Sequence, residues 1–120
     1  MNAEVQENLN RQAYAGPEKR RFPRHRYIER LYIGRQNGLW FNAMTCEISA
    51  GGLSATTTAD LAIGENVRLS PVMNRCVEAV VRRRRGAMFG FEFSSISAEL
   101  QSQVQHLCES LPLFQIWFES

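Results

Sequence analysis

Two short stretches of this 120-residue chain carry residue types at spacings that suit chemistry: KRRFPRHR, from Lys19 to Arg26, and EISAGG, from Glu47 to Gly52. In the first, Arg20 and Arg24 frame an R-x-x-x-R with Arg21 between them. A planar guanidinium pairs bidentately with phosphate or a guanine edge and stacks on aromatic faces, which a lysine ammonium does not. Thirteen of the fourteen basic residues are arginine, and eleven of the fourteen fall in two blocks, 19–35 and 82–85. The net charge is only +2, so bulk charge does not make this a general polyanion binder, and the two blocks matter instead. In the second stretch, strand periodicity puts Glu47 and Ser49 on one side, opposite an apolar row of Cys46 and Ile48. A carboxylate and a hydroxyl then leave the strand together, and Gly51 and Gly52 let the backbone turn sharply or approach a ligand closely.

Other chemistries find little footing. His25 and His106, the two histidines, have no Ser or Cys neighbour in a nucleophile motif and no carboxylate at metal-ligand spacing. No glycine-rich phosphate loop is present, so the chain is not expected to be an enzyme, nor to hold a metal or cofactor. Cys46, Cys76 and Cys108 are odd in number, far apart and outside any Cys-x-x-Cys pair, which predicts three reduced, largely buried thiols. No apolar run reaches the ~18 residues of a membrane span. The N-terminus is polar and mixed in charge, without the apolar core of an export signal, and a cytoplasmic location is expected.

The elements that must position these residues are mostly strands. Residues 1–18 are expected to be a flexible or partly helical extension, ending at a Gly16-Pro17 break. YIERLYIGR (27–35) is followed by Gln36-Asn37-Gly38, a hairpin signal, and then by LWFNAMTCEIS (39–49), with Trp40, Met44, Cys46 and Ile48 expected on one face. LSATTT (53–58) comes next, and VRLSPVM (67–73) reads as an edge strand because Pro71 cannot donate to a ladder. The last two strands are 75–85 and 87–96, with Phe89, Phe91 and Phe93 alternating onto one face. Six short strands point to an antiparallel barrel or sandwich. After Ser97, a fair N-cap, the apolar stripe Leu100, Val104, Leu107 and Leu111 predicts an amphipathic helix that Pro112 ends or kinks. The division expected is thus 1–18, a domain over 19–111, and an apolar tail over 112–120. Leu113, Phe114, Trp117 and Phe118 of that tail either pack back on the barrel or wait for a protein partner.

Arg20-x-x-x-Arg24, then Glu47-x-Ser49-x-x-Gly52 on a strand, then Gly90-Phe91-Glu92-Phe93 before a helix: in this order the chain resembles the PilZ family of bacterial cyclic di-GMP receptors, over roughly residues 18–110. The resemblance implies a mainly β fold, a six-stranded antiparallel β-barrel of split-barrel type with a C-terminal α-helix and a flexible N-terminal segment. It implies that Arg20 and Arg24 take the ligand's phosphates and guanines, with Arg21 as a further phosphate or stacking contact. Glu47 would accept from a guanine edge, Ser49 would supply a hydroxyl, and Gly51 and Gly52 would shape the turn and allow close backbone approach. The family has Asp or Asn where this chain has Glu47, which sets the carboxylate one methylene further out. The run RRRR at 82–85 reads as a solvated strand end. Within it Arg83 falls where family members often carry an aromatic that stacks on guanine, and a guanidinium plane would serve there instead. The expected function is a cyclic di-GMP receptor that signals to motility, adhesion or exopolysaccharide machinery. The alternatives are a PilZ-fold adaptor that binds protein through its tail and no nucleotide, and a nucleic-acid-binding barrel that uses both arginine blocks.

Overall fold

Each apolar run of period two between residues 30 and 95 is a strand in the computed structural model, which describes residues 23–112. The elements are β1 (His25–Arg26), β2 (Arg30–Gly34), β3 (Trp40–Ser49), β4 (Gly52–Thr57), β5 (Asn66–Val72), β6 (Arg75–Arg85), β7 (Met88–Ser95) and α1 (Ala98–Glu109). Every pairing is antiparallel, and the order β3-β2-β5-β6-β7-β4 closes on itself because β4 also pairs with β3. This is the six-stranded antiparallel barrel with a C-terminal helix that the sequence predicts, with the two-residue β1 added alongside β3. Closure leaves the barrel without a long unpaired edge.

The interior is filled by Leu31, Ile33, Ile48, Leu69, Val81 and Phe89, all fully buried. Phe91 is buried beside Phe89, and Phe93 packs half-buried against the same core, as their alternation predicts. Helix α1 is capped by Ser97, whose hydroxyl accepts from Leu100 N at 3.1 Å, and ends three residues before Pro112. It buries Leu100, Val104 and Cys108, while Leu107 and Leu111 are only partly covered.

Four expectations change. Strand β5 is not an edge: it lies between β2 and β6. Pro71 is tolerated because it falls in a register shift against β6, between Leu69 and Val72, and past the last β2 pair at Ser70. Cys76 is exposed and Cys46 half-buried, so only Cys108 is a buried thiol. The face of Trp40, Met44, Cys46 and Ile48 is split, with Trp40 and Met44 exposed and Ile48 buried. Its cause is a β-bulge: Thr45 pairs with Ala55 and Glu47 with Ser54, leaving Cys46 as the extra residue.

The fourth change concerns the strand expected over 27–35, which begins only at Arg30 as β2. The short β1 before it and β2 both run along β3, and residues 27–29 between them are held by Thr45. The buried Thr45 hydroxyl donates to Tyr27 O at 2.6 Å and accepts from Glu29 N at 2.7 Å, while Thr45 N donates to Glu29 O at 2.8 Å. This clamp fixes the path of the chain that delivers Arg24. Thr45→Val keeps the shape but orphans both backbone groups, and is expected to cost about 1–3 kcal/mol of stability in a urea titration. A variant as stable as the wild type would show that the clamp carries no weight.

Candidate functional site

The bulge in β3 decides which way the second motif points. Ala43 and Thr45 face inward, and uninterrupted alternation would carry Glu47 and Ser49 into the core after them. The extra residue reverses the phase, so Ile48 enters the core and Glu47 and Ser49 turn to the outside. They line an open cavity of about 200 Å³ on the outer face of β3, β4, β7 and β6. Its floor contains one cross-strand row, because Glu47 pairs with Ser54, Ser54 with Gly90, and Gly90 with Arg83. Leu53, Ala55 and Phe91 alternate inward beneath it.

Arg24 reaches the same cavity from the chain before β1, and its Nε lies 3.1 Å from Glu47 Oε1. Both side chains are largely covered, at 22% and 10% exposure, so this ion pair is shielded better than an ordinary surface one. Ser49 is engaged in its own turn: its hydroxyl accepts from Gly51 N at 3.2 Å and lies 3.4 Å from Gly52 O as a long donor contact. The close approach that requires glycine at position 52 is made within the barrel. A Cβ there would stand 2.0 Å from Phe91 O. Gly51 O in turn accepts from Phe93 N at 3.0 Å, tying the turn to β7.

The arginines of the 82–85 run at the end of β6 are not equivalent. Arg82 pairs with Glu92 at 2.7 Å, and Arg84 pairs with Asp60 and lies over the Phe89 ring. Arg83 makes no ion pair among the described residues. Its guanidinium lies against Gly90, with Nε 3.5 Å from where a Cβ would be. The Cys46 thiol beside the site is pushed above its ordinary range by burial first and by the Glu47 charge second, against a lowering contact from the Ser54 hydroxyl.

Of the residues singled out in the sequence, Arg24, Glu47, Ser49, Gly51, Gly52 and Arg83 line this one cavity. Arg20 and Arg21 lie outside the described residues, as do Leu113, Phe114, Trp117 and Phe118 of the tail. Ser54 and Gly90 also line the cavity and were not singled out as site residues. Gly90 entered only as part of the final-strand motif, and the signal for both as site residues was register, since each stands opposite a residue that was singled out. Among the described residues no group of three or more His, Cys, Asp or Glu side chains is placed to hold a metal, and no helix is long and apolar enough to cross a membrane.

The family model of the PilZ domain matches residues 18–110. Among solved structures, the PilZ domain with c-di-GMP of YcgR from Escherichia coli superposes with a TM-score of 0.63 at 17% identity, covering 78% of this chain and 92% of that one. The Bacillus subtilis inhibitor of motility, MotI/DgrA, gives 0.62 at 24% identity over 78% of this chain, which spans only 51% of that protein. The PilZ domain of CeSA from a cellulose-synthesizing bacterium gives 0.57 at 15% identity, over 72% and 95%. No curated protein sequence matches. Likeness at these identities speaks for the shared barrel, and the match over 18–110 speaks for descent: the chain belongs to the PilZ domain family.

Proposed function

We propose that this protein is a cyclic di-GMP receptor whose ligand seats on the Glu47–Arg83 floor and is gripped by the arginine segment. PilZ domains are binding and regulatory modules, and one of the solved neighbours was captured with this nucleotide. The observation that carries the reading is the meeting of Arg24 and Glu47, 23 positions apart in sequence, as an ion pair in a cavity also lined by Ser49, Gly52 and Arg83. A guanine offers N1–H and N2–H donors to a carboxylate, O6 and N7 acceptors to a guanidinium, and a face for a second guanidinium to stack on. Three interstrand steps put Glu47 and Arg83 about 14 Å apart along the floor, and the Arg83 side chain crosses Gly90 to shorten that span. A cavity of about 200 Å³ is smaller than the ~300–1,000 Å³ pockets that enclose drug-sized ligands. The remainder of the dinucleotide would rest against Arg20 and Arg21. Binding then exchanges the Arg24–Glu47 pair for contacts to the ligand. The signal passes on to motility, adhesion or exopolysaccharide machinery through a protein partner, for which Leu113, Phe114, Trp117 and Phe118 are candidates.

The test is a titration of the wild type with cyclic di-GMP, with GMP as the control. Saturable micromolar binding of the dinucleotide alone is the expected result. No saturable binding at those concentrations would leave the adaptor reading in its place. Glu47→Asp sharpens the test. The shorter side chain weakens the internal pair with Arg24 and has one fewer rotor to immobilise, so it should bind as tightly as the wild type or more so. Markedly weaker binding by Glu47→Asp would remove the guanine-accepting role given to this carboxylate.

A further inference from the structure

Ser54 stands directly opposite Glu47, where side chains of a pair have Cβ atoms about 5 Å apart. Its neighbours Leu53 and Ala55 point into the barrel, so Ser54 points out onto the cavity floor that it helps to line. Its Oγ is one of only two buried side-chain polar atoms among the described residues that lack a hydrogen-bond partner, the other being Gln103 Oε1 on α1. The Cys46 thiol nearby is a weak partner at best. A hydroxyl kept dry beside a carboxylate with nothing stronger than a thiol for a partner is costly to the folded chain unless something else completes it.

Guanine supplies what is missing. When a carboxylate takes N1–H and one N2–H of its Watson–Crick edge, the second hydrogen of the exocyclic amine is left over, on the side away from O6. We infer that the Ser54 hydroxyl accepts this hydrogen beside Glu47, and so makes the site selective for bases that carry a 2-amino group. The inference rests on the cyclic di-GMP reading above and adds to it a residue outside the two arginine and glutamate motifs. Hypoxanthine keeps O6 and N1–H but lacks the amine, and adenine turns a lone pair at N1 toward the carboxylate.

Wild type and Ser54→Ala are titrated with cyclic di-GMP, cyclic di-IMP and cyclic di-AMP, and melted without ligand. Wild type should prefer the guanine ligand to the hypoxanthine one, and both to the adenine one. Ser54→Ala should bind cyclic di-GMP about five- to tenfold more weakly, the scale of one hydrogen bond, and cyclic di-IMP unchanged within about twofold. Its melting temperature should stay close to or exceed that of the wild type, since only a weak contact with the Cys46 thiol is lost. Equal losses for both ligands, no loss for cyclic di-GMP, or a clear drop in melting temperature would overturn the role of Ser54 alone. Absence of saturable wild-type binding to cyclic di-GMP would overturn the receptor reading, and this inference with it.

Discussion

Gly52→Ala is expected to lower the melting temperature by about 10–20 °C, although it adds a single methyl group to the start of a strand. The atoms that methyl would meet are all backbone: Phe91 O at 2.0 Å, Phe91 C at 3.0 Å and Glu92 Cα at 3.1 Å. A flexible side chain can swing away, but here β4 and β7 must separate where Gly52 pairs with Glu92. That pairing is one of the six that close the barrel. Forced overpacking costs about 1–3 kcal/mol or more, and each kcal/mol moves the melting point of a domain this size by roughly 4–8 °C. Gly90→Ala is the control, since its new methyl meets only the Arg83 side chain, at 3.5 Å or beyond, and should melt near the wild type. Equal melting of Gly52→Ala and Gly90→Ala would mean that the second motif's glycine is there for the ligand and not for the barrel.

Arg24→Ala is expected to weaken cyclic di-GMP binding by roughly 10- to 150-fold, the worth of a charge-assisted contact of about 1.5–3 kcal/mol. Two effects oppose each other. Truncation removes a cation that grips the dinucleotide, but it also releases Glu47 from the ion pair that a ligand must open. The first should win, because the released carboxylate brings its own negative charge near the ligand's two phosphodiester anions without the guanidinium that had neutralised it. Arg24→Lys separates the contributions: it keeps the charge but not the planar fork, and should fall between the two proteins. The stability cost of Arg24→Ala should lie between the ~1 kcal/mol ceiling of exposed pairs and the ~3–5 kcal/mol of broken buried ones. Isothermal titration beside thermal melting reads both quantities. Undiminished affinity in a folded Arg24→Ala protein would detach the arginine motif from nucleotide binding, and wholesale unfolding would make Arg24 a structural residue first.

The strands and the helix were legible because each depends mainly on its own residues. Alternation at period two marked β3, β6 and β7 nearly to their ends, and Ser97 with the stripe that follows it marked α1. Pro71 misled for the opposite reason: whether a missing N–H matters depends on which neighbour would have received it, and a register shift supplies none. The late start of β2 at Arg30 was equally hidden, because Thr45, which holds residues 27–29, looks like any strand threonine until its partners are known.

For the site, residue types and order along the chain sufficed to pick out Arg24, Glu47, Ser49, Gly51, Gly52 and Arg83, which the fold then gathers around one cavity. Ser54 and Gly90 were not picked out, and the task of Gly52 inside the barrel was not visible. The distinction between Arg83 and its ion-paired neighbours Arg82 and Arg84 was equally out of sight. What the sequence alone determined was the set of strands, the capped helix and the chemical inventory of the motifs, all functions of near neighbours and of side-chain type. What only the tertiary structure decided was who stands opposite whom. That Glu47 points away from the core, opposite Ile48, was already read from alternation, but that Cys46 is the extra residue in β3 which makes it so was not, and closure of the barrel lays Ser54 and Gly90 between Glu47 and Arg83. The first outcome is set by pairing within the β3–β4 hairpin and the second by pairing between strands distant along the chain, and in both a one-residue shift exchanges the core face for the solvent face.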